Sequence, residues 1–186
     1  AQEIIGCQKI DADFLDALEG FCGGNPHYLR EFLIYIKRNN LYRLQDGMAV
    51  IPKDAINTIP DNLQNLILSK FNDMDDNLAY IIRIASIIGK DFPISVINYL
   101  MHRDVEAMGE LVSSMIALKS VYAVTGRLEK LYTFTQETER EVIYNSILMR
   151  QKKEYHKKIA EAIEYLYNRV LENYYEVLAE NFSKAG

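Results

Sequence analysis

The sequence predicts a mainly α-helical fold in three parts: a helical region with a small β-hairpin, a winged helix, and the start of a helical solenoid. Along most of the 186 residues, apolar side chains recur at spacings of three and four, the period of helices that bury one face. Two segments differ: residues 41–51 and residues 121–135 each contain two strand-like runs separated by a turn. Three helices followed by strand, turn and strand is the order of a winged helix.

The composition indicates a chain folded nearly throughout. Apolar residues make up 49% and charged residues 25%, with 9 Gly and 4 Pro, as in ordinary globular proteins. The net charge of −5 disfavours a whole-surface contact with nucleic acid, because phosphates repel it. No apolar run approaches the roughly 20 residues of a membrane-spanning helix. We therefore expect no membrane partner.

The cysteines and the first residues indicate the cellular context. Cys7 and Cys22 show neither the spacing of a disulfide framework nor that of a metal site, which favours a reducing, cytoplasmic compartment. The chain begins without methionine and without a signal peptide. We expect it to be a segment of a longer protein, which can lack the chemistry of its parent.

Residues 1–58 form the first predicted domain. A helix over residues 13–20 is followed by glycines that end it. Asn25 is the predicted N-cap of the next helix and Pro26 its first residue, since a proline there loses no hydrogen bond. Asp46 and Gly47 form the predicted turn of the hairpin.

Residues 59–135 form the second predicted domain, which contains the winged helix. A helix opens at residues 59–61, and Asp73, Asp75 and Asp76 are interpreted as the cap of the helix after it. Isoleucines surround that next helix over residues 81–88, so we expect it to be buried on several sides. The other predicted elements are helices over 92–101 and 104–119 and strands over 121–124 and 128–135, with a turn at Thr125 and Gly126.

Residues 136–186 form the third predicted region, a helical linker and the start of the solenoid. Apolar residues follow helical spacing at Val142, Ile143, Ile147, Ile159, Ile163, Leu166, Val170, Tyr175, Leu178, Ala179 and Phe182. Because 51 residues are too few to show a repeat, the periodicity alone does not identify the solenoid.

No residue pattern predicts catalysis. The chain lacks the glycine-rich phosphate-binding loop of P-loop enzymes, so it is not expected to hydrolyse nucleotides. His27, His102 and His156 have no partner at metal or triad spacing. Each is expected on the surface or on the side of a helix, and no metal site is predicted.

The basic residues 150–158 could contact phosphates, but a solvated helix face is the favoured interpretation, because Ile159 and Ile163 bury the other side. The predicted recognition helix, residues 104–119, carries acidic residues that would repel phosphates. Direct DNA binding is therefore not expected.

Four stretches, taken in order, resemble the region after the ATPase core of STAND-type AAA-like ATPases, especially those attached to class III adenylate/guanylate cyclase domains and followed by TPR repeats. They are residues 24–33 (GNPHYLREFL), 59–67 (IPDNLQNLI), 78–92, which end in ASIIGKDF, and 132–144 (YTFTQETEREVIY). Residues 178–186 (LAENFSKAG) are similar to the start of the family's TPR repeats. The family commonly has His where this chain has Gln136.

The resemblance implies that residues 1–58 are the lid of an ATPase module and that residues 136–186 lead into TPR-like repeats. It places Gly24, Asn25 and Pro26 near a bound nucleotide. Gln136 can hydrogen-bond there but cannot become a cation, so the phosphate-sensing role of the family's histidine does not transfer to it.

The resemblance further implies a non-catalytic regulatory segment of a signal-transduction ATPase. Such a segment would couple the nucleotide state of an upstream P-loop domain to an effector such as a nucleotide cyclase. The segment itself would hold no cofactor, and the parent would bind ATP or ADP with Mg²⁺. The expected partners are the P-loop domain, the TPR repeats and other proteins. A STAND transcriptional regulator and a protein-docking module, with the C-terminal tyrosines as its partner face, are the alternatives.

Overall fold

A computed structural model describes residues 2–60, 62–102, 105–124 and 130–186. Over these residues the chain is mainly helical, as predicted, with two small three-stranded sheets. It divides into two compact units, one ending at Asp73 and the other beginning at Met74. None of the described helices is both long and apolar enough to cross a membrane.

The first unit combines five helices with a three-stranded sheet over its described residues. Its elements are α1 (Gln2–Ile5), β1 (Lys9–Ile10), α2 (Ala12–Cys22), α3 (Pro26–Arg38), β2 (Arg43–Gln45), β3 (Met48–Val50), α4 (Lys53–Ile56) and α5 (Leu63–Asn72). The predicted hairpin is confirmed: β2 pairs antiparallel with β3, and Asp46 and Gly47 have φ of 50° and 76°, as a type I′ turn requires. β1, which was not predicted, pairs parallel with β3.

Helices α2, α3 and α5 bury their apolar residues in the core of the first unit. Phe14, Phe32 and Ile36 are fully buried there, together with Leu66 of α5. The boundary predicted between residues 58 and 59 would separate α5 from α3, whereas in the structure the two helices share this core.

The second unit places a sheet among helices. Its elements are α6 (Asp76–Ile88), β4 (Asp91–Pro93), α7 (Ile94–Met101), α8 (Val105–Ala117), β5 (Val121–Val124), β6 (Leu131–Phe134), α9 (Glu137–Ser146), α10 (Met149–Leu166), a 3₁₀ helix (Leu171–Tyr174) and α11 (Tyr175–Ala185). The strands lie in the order β4-β6-β5 and pair antiparallel. The turn predicted at Thr125 and Gly126 lies outside the described residues.

Strand β4 corrects the prediction that a helix begins at residue 92. Phe92 pairs with Tyr132 of β6, and α7 begins only at Ile94. The strand is three residues long and its partner lies about 40 residues further along the chain, so local periodicity does not reveal it.

Helix α6 is buried on several sides, as predicted. Its buried residues are Leu78, Ala79, Ile81, Ile82, Ile84, Ala85, Ser86 and Ile87. The predicted acidic cap is also confirmed, because Asp75 accepts hydrogen bonds from the backbone N–H of Asn77 and Leu78, each at 3.0 Å. The helix ends at Gly89, whose φ of 146° and ψ of −168° are adopted by essentially no other residue.

In the C-terminal region, the buried residues are only in part the ones that the apolar pattern of the sequence predicts. Val170, Tyr175 and Phe182 lie at helical spacing but are exposed, whereas Asn181 of α11 is buried against α10. Helix α10 ends at Leu166 and a 3₁₀ turn follows, which changes the phase of the helical pattern before α11 begins.

Candidate functional site

The corner before α3 contains three of the residues that the resemblance assigns to a nucleotide. Gly23 and Gly24 have φ of 51° and 76°, which turns the chain sharply between α2 and α3. Asn25 then accepts hydrogen bonds at its Oδ1 from the backbone N–H of His27 (2.9 Å) and Tyr28 (3.1 Å). With Pro26 as the first helical residue, the predicted cap is confirmed in detail.

This cap limits what the corner can bind. A helix N-terminus attracts an anion through its unpaired N–H groups, but Asn25 already occupies those of His27 and Tyr28. What the corner offers is the exposed ring of Pro26 and open space beside Gly24, where an added Cβ would meet no atom within 4 Å. A ligand here would pack on the corner rather than place a phosphate on the helix axis.

Behind the corner, α3 and α5 share a buried ion pair. Glu31 and Lys70 have side chains that are 2% and 5% exposed, and Lys70 Nζ lies 4.0 Å from Glu31 Oε2. Arg30 contacts the other carboxylate oxygen of Glu31. Burial of charges is unfavourable unless they are paired, so these contacts fix how the two helices meet. Sequence patterns did not predict this pair, because Glu31 and Lys70 are ordinary surface residue types.

Gln136, the fourth assigned residue, precedes α9 in the second unit. Its side chain makes no capping hydrogen bond. The next residues border a polar concavity of about 580 Å³ between α6, α9 and α11, to which Glu137, Arg140, Glu180 and Lys184 contribute. The structure therefore brings Gly24, Asn25 and Pro26 together in one unit and places Gln136 in the other.

Charges in this concavity compensate one another. Arg140 forms an ion pair with Glu137 and donates to the backbone oxygen of Ser86 at 3.1 Å. Lys184 donates to Glu180 at 2.6 Å, which lowers the pKa of that carboxyl below its usual value. The described lining also contains Lys90 and Glu141, so three cations face three carboxylates. The concavity therefore lacks the excess of positive charge that phosphate groups require.

His156 occupies a buried polar contact between α10 and α11. It is 2% exposed. Of the two positions predicted for the histidines, His156 therefore has the one on the side of a helix and not the one on the surface. Its Nδ1 lies 2.8 Å from Asn181 Oδ1. Because Asn181 Nδ2 donates to the backbone oxygen of Val177 at 2.8 Å, the oxygen faces His156 and Nδ1 carries the proton.

The environment of His156 favours its neutral form. Burial lowers the pKa of the imidazole, and Lys184 and Lys152 add to this effect, while the hydrogen bond that His156 donates to Asn181 and the charge of Glu180 oppose it. His102, in contrast, is exposed at the C-terminus of α7, and His27 is half-buried in the first turn of α3.

The basic residues within 150–158 lie on a largely solvated face of α10, as the favoured interpretation of the sequence predicts. Lys158 donates to Glu154 at 2.7 Å, and Lys157 lies 4.0 Å from Glu161. Lys152 stacks on the ring of Tyr144 at 4.2 Å from its centroid. Intrahelical pairing of this kind is typical of a surface helix.

The C-terminal tyrosines are divided between packing and exposure. Tyr167 and Tyr174 stack with centroids 4.2 Å apart. Tyr165 lies 5.0 Å from Tyr99 yet is 65% exposed, and Tyr175 is 62% exposed. Only part of the proposed tyrosine face is therefore interhelical packing.

Among the described residues, no group of three or more His, Cys, Asp or Glu side chains could hold a metal ion, and Cys7 and Cys22 are free thiols. Comparison of the chain with known proteins found no matching family, curated protein or solved structure.

Proposed function

We propose that this chain is a regulatory segment without catalytic activity of its own, built around a winged helix in the second unit. The observation that carries the proposal is the element order α6-β4-α7-α8-β5-β6 with strand order β4-β6-β5. A winged helix has three helices, one short strand between the first two, and a terminal hairpin. The short strand β4, found between α6 and α7, strengthens this interpretation beyond the sequence pattern.

A protein partner fits α8 better than DNA does. In a DNA-binding winged helix this helix enters the major groove and its exposed side chains approach phosphates and bases. Here Glu110, Ser113 and Ser114 are exposed along α8, so the helix offers an acidic and hydroxyl-bearing face. This face supports signalling or docking over direct transcription control.

The resemblance to STAND-type ATPases supplies the rest of the proposal. The parent protein would bind ATP or ADP with Mg²⁺ in an upstream P-loop domain and would act in the cytoplasm. The second unit would transmit the nucleotide state to TPR repeats and to an effector such as a nucleotide cyclase. Helices α10 and α11 support this role because they pack as an antiparallel pair, as the helices of TPR repeats do. Asn181 contacts His156, and Gly186, further along α11, lies beside the earlier residue Lys153 of α10.

A nucleotide titration of the protein expressed from its complete reading frame tests the proposal. We expect binding of a fluorescent ADP analogue, and about threefold weaker binding by Pro26→Ala, because the exposed proline ring would pack on the nucleotide. Pro52→Ala, in the same unit, is the matched control and should leave affinity unchanged. Absence of nucleotide binding by the complete protein would refute the ATPase assignment, and equal affinities of the two variants would refute the role of the corner.

A gel-shift titration tests the transcriptional alternative. The 186-residue chain should not shift duplex DNA at 50 mM salt. Salt-sensitive binding that is lost in the double variant Arg150→Gln/Lys153→Gln would instead assign the basic face of α10 to phosphate contacts. That result would refute the signalling proposal and favour a transcriptional regulator.

A further inference from the structure

An apolar groove opens between α7, α8 and the start of β6. It has a volume of about 450 Å³, within the range of small-molecule sites. The described residues that line it are Ile94, Ser95, Asn98, Met108, Gly109, Val112, Ser113, Ile116, Lys130 and Tyr132. The groove is formed by these elements themselves and does not depend on the winged-helix assignment.

Gly109 is the first unusual feature of the groove. It lies in the interior of α8, where glycine weakens a helix relative to alanine. Its backbone does not require glycine, since its φ is not positive. Apart from the backbone of its own helix and its chain neighbours, a Cβ at this position would meet no atom of the described residues within 4 Å. The missing side chain therefore leaves space in the groove, and a larger residue would fill that space.

Asn98 is the second unusual feature. Its Oδ1 is buried and has no hydrogen-bond partner among the described residues, although buried polar atoms are normally paired. Two of the three hydroxyls among the lining residues are already engaged: Ser113 donates to the backbone oxygen of Gly109 at 2.8 Å, and Ser95 lies 3.0 Å from the hydroxyl of Tyr167. Tyr132 contributes the third hydroxyl. Among the described residues that line the groove, Asn98 is the one with a buried, unpaired oxygen, and a ligand that pairs with this amide would satisfy it.

Lys130 supplies a positive charge at the rim. Its backbone oxygen accepts from the N–H of Ile94 at 3.2 Å, which holds it beside the first turn of α7. Its side chain is exposed and forms no ion pair with a described residue. An apolar groove with an unsatisfied amide inside and a free cation at its rim matches a ligand that has an apolar body, an amide and a carboxylate.

We propose that this groove binds a small N-acylated amino acid with an apolar side chain. The side chain packs against Met108, Val112 and Ile116, in the space beside Gly109. The ligand amide pairs with the amide of Asn98, which has both a donor and an acceptor. The ligand carboxylate lies against Lys130. The volume of the groove accommodates such a molecule whole, which favours a free small molecule over the end of a long peptide.

Isothermal titration calorimetry with N-acetyl-L-phenylalanine tests the proposal on the 186-residue chain. We expect a dissociation constant of about 0.1 to 1 mM, as for other ligands of this size. 3-Phenylpropionate, which lacks the amide, and N-acetyl-phenylalaninamide, which lacks the charge, should each bind about tenfold more weakly. Absence of binding by N-acetyl-L-phenylalanine, or equal binding by all three compounds, would overturn the proposal.

Three variants assign the binding to the groove. Gly109→Leu should abolish it by filling the space, and Gly20→Leu, at the interior glycine of α2 where a Cβ also meets no atom within 4 Å, is the matched control. Asn98→Leu should weaken N-acetyl-L-phenylalanine about tenfold while leaving 3-phenylpropionate unchanged. Lys130→Gln, at an exposed position, should weaken the binding of both carboxylates but not that of N-acetyl-phenylalaninamide.

Two results would overturn the assignment even if binding is found. Unchanged affinity in Gly109→Leu and Lys130→Gln would place the ligand elsewhere on the chain. A hexapeptide that ends in phenylalanine and binds at least tenfold more tightly than N-acetyl-L-phenylalanine would show that a protein C-terminus, rather than a free small molecule, is the occupant.

Discussion

The two units of this chain each contain a buried polar contact between helices, and the two contacts differ in charge. In the first unit, Glu31 and Lys70 form an ion pair between α3 and α5. In the second, His156 and Asn181 form a neutral hydrogen bond between α10 and α11. A buried charge needs its partner more than a buried neutral group does. The first contact is therefore expected to tolerate change less, and the second to respond to pH.

The largest expected effect is that of Lys70→Met, which leaves Arg30 as the one ion-pair partner of the buried Glu31 carboxylate among the described residues. We expect the free energy of unfolding of the first unit to fall by about 3 kcal/mol. Urea unfolding with hydrogen–deuterium exchange of α3 and α5 measures it. Lys53→Met removes an exposed ion pair with Asp13 at 3.7 Å and should change stability by less than about 0.5 kcal/mol. Equal losses in the two variants would contradict the importance of burial.

Asn181→Leu tests the neutral contact. The Nδ1–H of His156 then loses its acceptor while remaining buried, and we expect a loss of about 2 kcal/mol in the second unit. Exchange rates of the α10 and α11 amides report it. Asn173→Leu, at an exposed position in the 3₁₀ helix, is the control. A loss as large as that of Lys70→Met would remove the distinction between charged and neutral contacts.

The pH dependence of stability distinguishes the two contacts directly. Burial lowers the pKa of His156 in the folded state, so between that value and the usual pKa of about 6.5 the unfolded chain binds more protons. The contribution of His156 is therefore complete above about pH 6.5 and is lost as the pH falls below it. Protonation also places a cation near Lys152 and Lys184, partly offset by Glu180.

Thermal unfolding at pH 7.5 and 5.5 measures this effect in the second unit. His156→Gln should flatten its pH dependence, whereas His102→Gln, at an exposed position, should not. A pH dependence that is unchanged in His156→Gln would assign the titration to another group.

The smallest expected effect compares a helical glycine from each unit. Gly20 of α2 and Gly109 of α8 both have room for a methyl group. Replacing either by alanine should therefore stabilise its unit by about 0.5 to 1 kcal/mol. Thermal unfolding of the two variants measures the gains, and destabilisation by either would show that its glycine is required by the fold.

Local features of the fold could be predicted from the sequence. The cap formed by Asn25 and Pro26, the turn at Asp46 and Gly47, and the acidic cap at Asp75 each depend on a few neighbouring residues, whose side chains or dihedral preferences determine the backbone. The burial of α6 followed from isoleucines placed around most of its circumference.

Features that depend on distant partners could not be predicted. β1 and β4 are two and three residues long and exist because β3 and β6 pair with them. His156 is buried because Asn181, 25 residues later, meets it. In the candidate site, the sequence predicted the cap at Asn25 but not the buried ion pair of Glu31 with Lys70, because these residues are far apart in the chain. The groove beside Gly109 was missed because its lining residues are ordinary for amphipathic helices.

Gly89 has a consequence for how this sequence can change over generations. With φ of 146° and ψ of −168°, it adopts a conformation that any side chain would strain. It joins α6, which is buried on several sides, to the first strand of the sheet of the second unit. An added Cβ would find adequate space, at 3.8 Å from the backbone oxygen of Asp91, so the restriction is torsional and no repacking of neighbours relieves it. A lineage that keeps this fold should therefore keep this glycine, even while the residues around it drift.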